Sequence, residues 1–212
     1  MSHETQNYAA LWADFKQKYA LSDKQLEAFQ TYAQLLIEWN QKINLTAIET
    51  IPGIIDHHFH DSLHITQVKD FAQVSSIADV GTGAGFPAIP LKIMYPHISM
   101  VLIEVLEKRR IFLQEVIDQL DLQNMELCEL DWRTFLRKTD YTIDVFIARA
   151  SLAPEQLINM FKPDCHYKSA QLIYWASYDW QPQPKEEKLI VKDIEYKLDT
   201  KKRRYIFFQL KA

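Results

Sequence analysis

Apolar residues recur with the spacing of amphipathic helices through the first third of the chain. Ser22 and Gln25 form an S-x-x-Q capping box that opens the second of these helices, and a third helix is expected to follow Pro52. We therefore predict an all-helical N-terminal extension over residues 1–66. The residues expected on the buried faces are Tyr8, Leu11, Trp12, Phe15, Tyr19, Leu26, Phe29, Ala33, Leu36, Trp39, Ile54, Ile55, Phe59 and Leu63.

From Ser76 onward the pattern changes to short apolar runs that alternate with helical stretches. This alternation predicts right-handed βαβ units and a mostly parallel sheet in an α/β domain over residues 67–212. Two β-rich stretches at the C-terminus, separated by a turn at Asp199–Arg204, are expected to add an antiparallel hairpin. The predicted strands are Ile77–Val80, Met100–Glu104, Met125–Cys128, Ile143–Ala148, Leu172–Trp175, Leu189–Leu198 and Tyr205–Leu210. The predicted helices of this domain are Pro87–Met94, Lys108–Leu120, Trp132–Arg137 and Pro154–Phe161.

Three of the four glycines in the chain cluster directly after the first predicted strand, at Gly81, Gly83 and Gly85. Such a loop lets the backbone turn tightly and approach a ligand without a Cβ in the way. The spacing fits neither the dinucleotide fingerprint, whose third glycine is replaced by Phe86, nor the P-loop, which requires a Lys-Ser/Thr pair. The D-x-G-x-G-x-G pattern that begins at Asp79 resembles the nucleoside-binding loop of class I S-adenosylmethionine methyltransferases. A glycine turn that binds no ligand is the structural alternative.

Acidic and aromatic residues stand at the ends of the loop and of the next two strands. Glu104 ends the second predicted strand, 23 residues after Gly81. A carboxylate there can accept both ribose hydroxyls of an adenosine ligand, and a solvated surface position is the alternative. Asp131, just past the third strand, is placed to accept from an adenine amino group. Trp132 offers an apolar ring beside it, unless the indole is simply packed, and Phe86 is placed to line the same pocket.

Arg149 follows an apolar strand at the edge of the sheet where ligands bind in α/β folds. Its partner is either a ligand carboxylate or an RNA phosphate, or a structural carboxylate, Asp79 or Asp131. The histidines at positions 57, 58 and 60 have no Cys or Glu-x-x-His partner nearby, so we predict no metal site.

Composition narrows the cellular location and the class of partner. The 212 residues carry a net charge of −4, which argues against a highly basic nucleic-acid binder. The N-terminus has no basic-then-apolar signal, and no apolar run approaches the ~18 residues of a membrane span. Two cysteines, Cys128 and Cys165, have no metal-ligand spacing and fit a reducing cytoplasm. We expect a cytoplasmic monomer that binds neither membrane nor metal.

Basic residues are concentrated locally although the net charge is negative. Residues 185–212 hold nine Lys/Arg against five Asp/Glu, whereas residues 1–64 hold four against eight. A nucleic acid would therefore have to use a local basic surface, although a charge run is more often a solvated face. The candidates for RNA binding are Lys108, Arg109, Arg110, Arg137, Lys138, Lys202, Arg203 and Arg204.

Five stretches in chain order resemble one family. WNQKINLTAI, HFHDSL, IADVGTGAGFPAIPL, EKRRIFLQEV and IARASLA are similar to the successive motifs of the bacterial RsmG (GidB) 16S rRNA methyltransferases, over roughly residues 20–160. The resemblance implies a class I, Rossmann-like methyltransferase fold with a seven-stranded sheet and a helical N-terminal extension. It implies S-adenosylmethionine as cofactor and S-adenosylhomocysteine as product. The implied substrate is N7 of the guanine at position 527, in the 530 loop of 16S rRNA, either free or within the small ribosomal subunit or an assembly intermediate.

The family's site carries over by position onto the glycine loop and the strand ends, with Glu104 as the ribose acid. The resemblance directly implies Gly81, Phe86, Trp132, Arg133 and Arg149. With the residues discussed above, the predicted cofactor site is Asp79, Gly81, Gly83, Gly85, Phe86, Glu104, Asp131, Trp132, Arg133 and Arg149. Because guanine N7 already presents a lone pair, methyl transfer needs no general base. We therefore expect Asp61 or Arg149 only to position the base.

Three positions depart from the family pattern. Ala88 stands where a glycine is usual, a change that is harmless inside a helix. The turn KPDCHYKSA lacks its usual glycines, and Ala176-Ser177 replaces a Lys-Gly pair after the fifth strand. The last change leaves two alternatives open. One is a methyltransferase that acts on a protein or small molecule, and the other is a diverged member that binds S-adenosylmethionine or rRNA without turnover.

Overall fold

The computed structural model describes residues 3–161 and 165–209. Its strands are β1 Ser76–Val80, β2 Ser99–Ile103, β3 Met125–Cys128, β4 Val145–Arg149, β5 Gln171–Ser177, β6 Ile190–Leu198 and β7 Lys201–Gln209. They form a seven-stranded sheet in the order β3-β2-β1-β4-β5-β7-β6. The first five strands are parallel, while β7 pairs antiparallel with both β5 and β6. The predicted α/β fold with a mostly parallel sheet is thereby confirmed.

Helices precede the sheet and alternate with its parallel strands. They are α1 His3–Tyr19, α2 Asp23–Asn40, α3 Ile51–Ile54, α4 His60–Leu63, α5 Ala88–Met94, α6 Glu107–Gln119, α7 Trp132–Lys138, α8 Pro154–Asn159 and α9 Pro184–Glu187. A π-helical turn, Ile55–Phe59, joins α3 to α4. The predicted capping box of Ser22 and Gln25 opens α2. Outside the C-terminal hairpin, the predicted and observed bounds differ by no more than two residues.

The sheet carries a hydrophobic core on each face. Alternation along β1 sends Ile77 into the core shared with α1, α2, α5 and α6, whereas Ala78 and Val80 join the core formed with α7 and α8. Phe15 and Phe29, from α1 and α2, are buried in the first of these cores. The extension is helical as predicted, and it packs directly on the sheet. The division of the chain after residue 66 stays a prediction.

The C-terminal hairpin differs from its prediction. The stretch Asp199–Arg204 was predicted as a turn, but β7 already begins at Lys201. Pairing with β6 holds all four basic residues in extended backbone, and Arg203 and Arg204 also pair with β5, with Arg203 opposite Ser177. The turn prediction is therefore wrong for residues 201–204. Because β7 runs antiparallel to β5, its first residues lie at the carboxyl edge of the parallel strands.

Some predictions fall on residues outside the described ranges. The turn KPDCHYKSA includes residues 162–164, and the last predicted strand includes Leu210, so neither can be compared in full. Among the described residues, no helix combines the length and apolar character needed to cross a bilayer.

Candidate functional site

A cavity of about 510 Å³ opens at the carboxyl edge of β1, β2 and β3. The glycine loop closes one side of it, and the segments that follow β2, β3 and β4 form the other walls. Five predicted cofactor residues line this cavity: Gly81, Glu104, Asp131, Trp132 and Arg133. Ligands of open α/β sheets bind at this edge, so the cavity is the candidate cofactor site.

The three loop glycines serve different purposes. All three have positive φ, at 69°, 63° and 94°, a conformation that favours glycine. A Cβ on Gly81 would lie 2.6 Å from Cβ of Ser151, and one on Gly85 would lie 2.4 Å from Cδ1 of Ile89. Internal packing therefore requires these two glycines. A Cβ on Gly83 would meet no described atom within 4 Å, so the space in front of Gly83 is open to a ligand.

Glu104 is held rigidly on the rim of the cavity. Its side chain is only 4% exposed. Oε2 accepts a hydrogen bond from the Gly83 amide at 3.1 Å, and Oε1 accepts one from the Leu106 amide at 2.9 Å. Arg109 Nη1 lies 3.4 Å from Oε2. The carboxylate is thus fixed beside the open space in front of Gly83, where it can accept hydrogen bonds from a pair of ligand hydroxyls.

The start of α7 forms the opposite wall. Asp131 caps this helix through hydrogen bonds from the Thr134 hydroxyl and amide, and these bonds lower the pKa of its carboxyl. The Trp132 indole is 3% exposed and donates to the Leu157 carbonyl at 3.0 Å. It is therefore a packed side chain whose edge lines the cavity. Arg133 is exposed at the rim.

Behind the glycine loop, a buried ion-pair cluster joins α4 to β4, β6 and β7. Asp61 Oδ2 lies 2.8 Å from Arg149 Nε and 3.3 Å from Arg203 Nη1. Asp61 Oδ1 accepts a hydrogen bond from the Tyr196 hydroxyl at 2.8 Å. Asp61 is 1% exposed, so these partners, rather than water, compensate the cost of burying its carboxylate.

Arg149 has a structural partner other than the two considered from the sequence. Asp79 and Asp131 were the candidates, whereas the carboxylate in contact with the guanidinium is that of Asp61. Arg149 Nη2 also donates to the His57 carbonyl at 3.0 Å. Its Nη1 is buried and has no hydrogen-bond partner within the described part of the chain. One donor of this arginine is therefore available to a ligand.

The π-helical turn presents His58 to both Arg149 and the glycine loop. The His58 ring stacks on Phe86 with centroids 4.4 Å apart. Its Nδ1 lies 3.2 Å from Arg149 Nη2, and its Nε2 lies 2.8 Å from the Thr46 hydroxyl. Burial, and then the Arg149 charge, lower the pKa of His58 to about 3, so the ring is neutral near pH 7. From the sequence, this histidine was considered only as a metal ligand. Among the described residues, no three or more His, Cys, Asp or Glu side chains come together in a group that could hold a metal ion.

Asp79 supports the glycine loop from beneath. Its Oδ2 accepts a hydrogen bond from the Thr82 hydroxyl at 2.7 Å. Burial raises the pKa of Asp79 from 3.8 to about 7, against the opposing effects of the Thr82 hydroxyl and the Arg149 charge. The walls of the 510 Å³ cavity do not include four of the predicted cofactor residues: Asp79, Gly85, Phe86 and Arg149. These four lie toward the N-terminal helices.

The raised pKa of Asp79 predicts a pH-dependent effect of Asp79→Asn. The folded state binds this proton more tightly than the unfolded state, so raising the pH from 3.8 through 7 favours unfolding. The neutral variant escapes this loss. We expect its stability relative to the parent chain to rise by about 2 kcal/mol between pH 5 and pH 8. Urea unfolding of both proteins at the two pH values measures this difference, and an offset independent of pH would contradict the assignment.

Two of the predicted RNA-binding clusters lie at opposite edges of the sheet. Lys108, Arg109 and Arg110 begin α6, beside the cavity. Arg137 and Lys138 end α7, which leads back to the amino ends of the parallel strands. The second cluster is therefore remote from the carboxyl edge.

The third cluster lies at the carboxyl edge but is largely engaged within the protein. Arg203 contacts Asp61, as described above, and Arg204 pairs with Asp193 and donates to the Trp180 carbonyl at 2.7 Å. Lys202 Nζ stands 4.9 Å from the centroid of the Tyr178 ring. Two of these three basic residues thus have internal acidic partners.

Ser151 lines the cavity but was not predicted from the sequence. It packs against Gly81, and its hydroxyl is buried without a hydrogen-bond partner among the described residues. A buried hydroxyl without an internal partner requires a reason, and a ligand in the adjoining cavity supplies one. The available signal was its place two residues after Arg149 in the stretch IARASLA.

Comparison with known proteins agrees with this geometry. The model of the GidB family, described as rRNA small subunit methyltransferase G, matches residues 25–206. A ribosomal RNA small subunit methyltransferase G from Lysinibacillus sphaericus (strain C3-41) is 42% identical over 137 residues, which cover 64% of this chain and 58% of the relative. The chain thus spans little more than half the length of this curated relative.

Solved structures share the fold at low sequence identity. The human methyltransferase 10 domain containing protein superposes with a TM-score of 0.55 at 15% identity, covering 88% of this chain and 98% of that one. An S-adenosylmethionine-dependent methyltransferase from Aquifex aeolicus gives 0.52 at 18% identity, covering 74% and 93%. These likenesses bear on fold alone, and they confirm the predicted class I methyltransferase architecture.

Proposed function

Because this chain belongs to the GidB family of rRNA small subunit methyltransferase G, we propose that it methylates 16S rRNA with S-adenosylmethionine as cofactor. The proposed target is N7 of the guanine at position 527, in the 530 loop, and the product is S-adenosylhomocysteine. The substrate is the free rRNA, the small ribosomal subunit or an assembly intermediate. We place the activity in the cytoplasm and assign it to the monomer.

One observation carries the cofactor part of this proposal. Glu104 lines the 510 Å³ cavity, and its Oε2 accepts a hydrogen bond from the amide of Gly83, where the absent Cβ leaves open space. A fixed carboxylate beside a glycine suits a nucleoside ligand. The ribose hydroxyls need a hydrogen-bond acceptor, and the rest of the nucleoside needs to approach the backbone closely.

The residues present fit each part of S-adenosylmethionine. Glu104 would accept the ribose hydroxyls, and Asp131 with the edge of Trp132 would border the adenine. The Ser151 hydroxyl, which belongs to a residue lining the cavity and is buried without a hydrogen-bond partner among the described residues, would serve the charged amino-acid end. When bound, the cofactor supplies an activated methyl group on a positively charged sulfur.

The chain's own contribution to the reaction is positioning. Guanine N7 carries a free lone pair, so no side chain has to remove a proton before methyl transfer. Asp61 and His58 fix the guanidinium of Arg149 from two sides, which makes them positioning residues for that side chain. Correct orientation of two reactants accounts for a large part of a transfer barrier.

Methyl transfer to ribosomal subunits tests the proposal. Small subunits from cells lacking this gene would be incubated with the purified chain and tritiated S-adenosylmethionine, and the modified nucleoside would be mapped. We expect incorporation at one guanine, recovered as N7-methylguanine. Incorporation into a protein or small molecule instead, or cofactor binding without any transfer, would overturn the proposed substrate.

A further inference from the structure

A second cavity, of about 520 Å³, adjoins the candidate site on the side of the N-terminal helices. It is a groove between the loop that follows α2 and the start of α6. We refer to it as the basic groove. Its lining residues are Gln41, Lys42, Ile43, Asn44, Leu106, Glu107, Lys108 and Arg109.

The basic groove concentrates positive charge in a protein whose net charge is −4. Three cations line it, Lys42, Lys108 and Arg109, against the single acid Glu107. Lys42 and Lys108 are exposed and form no ion pair in the part of the chain that the structure describes. Lys42 Nζ lies 5.1 Å from the centroid of the Trp39 ring, a cation–π contact that does not neutralise its charge. The charge is therefore available to an anionic partner.

The basic groove is continuous with the proposed cofactor cavity. Leu106 and Arg109 line both, and Arg109 contacts the carboxylate of Glu104. Leu106 is 51% exposed where the two cavities meet. A polyanion lying in the groove would thus pass directly beside the site of methyl transfer.

We propose that the basic groove binds backbone phosphates of the RNA strand that carries the target guanine, an inference that rests on the proposed function. Lys42 and Lys108 neutralise the phosphates. Gln41 and Asn44 line the same groove, and their side-chain amides offer donors and acceptors to sugar hydroxyls, a contact by which proteins distinguish RNA from DNA. Lys42, Gln41 and Asn44 were not among the residues predicted to bind RNA. Arg137 and Lys138, which were, lie at the other edge of the sheet and take no part.

Direct RNA binding tests this assignment without depending on turnover. The probe is a fluorescein-labelled RNA hairpin with the sequence of the 530 loop, titrated with the intact chain by fluorescence anisotropy. The test variant is Lys42→Glu with Lys108→Glu, and the matched control is Arg137→Glu with Lys138→Glu, which makes the same change in net charge. Affinity for S-adenosylhomocysteine and the thermal unfolding midpoint are measured on all three proteins as checks on folding. If the variant with Lys42→Glu and Lys108→Glu does not fold, the variant with Lys42→Gln and Lys108→Gln replaces it.

We expect the groove variant to bind the hairpin at least about tenfold more weakly, and its salt dependence to fall by about one to two in log–log slope. The control variant should bind like the parent chain. Equal loss in both variants, no loss in the groove variant, or no binding by the parent chain would each overturn the inference. Groove-dependent RNA binding without methyl transfer would instead overturn the proposed function and leave the groove assignment standing.

Discussion

Asp61→Asn is expected to lower the free energy of unfolding by about 3–5 kcal/mol, because breaking a buried ion pair leaves an uncompensated charge. Asp61 Oδ2 faces two guanidinium groups, Arg149 at 2.8 Å and Arg203 at 3.3 Å. An amide nitrogen in that place would point its donors at other donors. The hydrogen bond from Tyr196 to Oδ1 can persist in the variant, so the change isolates the charge.

Urea unfolding of the parent chain and the variant at pH 7 measures this effect. Asp193→Asn is the matched control, since it removes the carboxylate that pairs with Arg204 on the more exposed β6–β7 surface. We expect the control to change stability by no more than about 1 kcal/mol. Equal effects of the two substitutions would show that burial of the Asp61 cluster contributes nothing to stability.

Glu104→Gln is expected to weaken binding of S-adenosylhomocysteine by about 10- to 100-fold, because hydrogen bonds to a charged group are worth about 1.5–3 kcal/mol. The amide keeps the size of the carboxylate but loses its charge and one acceptor. Since Glu104 also receives the Gly83 and Leu106 amides, the variant has fewer acceptors left for ribose hydroxyls.

Isothermal titration calorimetry gives the affinities, and circular dichroism shows whether the variant is folded. Glu129→Gln serves as the control: Glu129 is 73% exposed and pairs only with Arg110 among the described basic residues. We expect its affinity to equal that of the parent chain. If a folded Glu104→Gln variant bound S-adenosylhomocysteine as tightly as the parent chain, the assignment of Glu104 as acceptor for the ribose hydroxyls would be wrong.

Much of the fold could be predicted from the sequence because the apolar runs and the glycine spacing indicated the same arrangement of strands and helices. Short apolar runs marked β1 to β5, and three alternating glycines marked the turn after β1. The place of Glu104 at the end of β2 followed from the same pattern, since parallel strands bring their carboxyl ends to one edge. The structure accordingly puts Gly81 and Glu104 around one cavity.

The remaining features depend on contacts that no local pattern records. The ion pairs of Asp61 join residues in α4, β4 and β7, so the partner of Arg149 could not be inferred from spacing. The start of β7 was missed because Lys201–Arg204 carry charges typical of a turn, while pairing with β6, and from Arg203 onward also with β5, holds them extended. Ser151 gains its importance only from close approach to Gly81.

A crystal structure of the intact chain with S-adenosylhomocysteine tests the central claim most directly. We predict the ligand in the cavity between Gly81 and Trp132, with both ribose hydroxyls on the Glu104 carboxylate and the sulfur beside the open face of Gly83. A cavity that stays empty at saturating ligand, or a ligand bound elsewhere on the chain, would contradict the assignment of this site to methyl transfer.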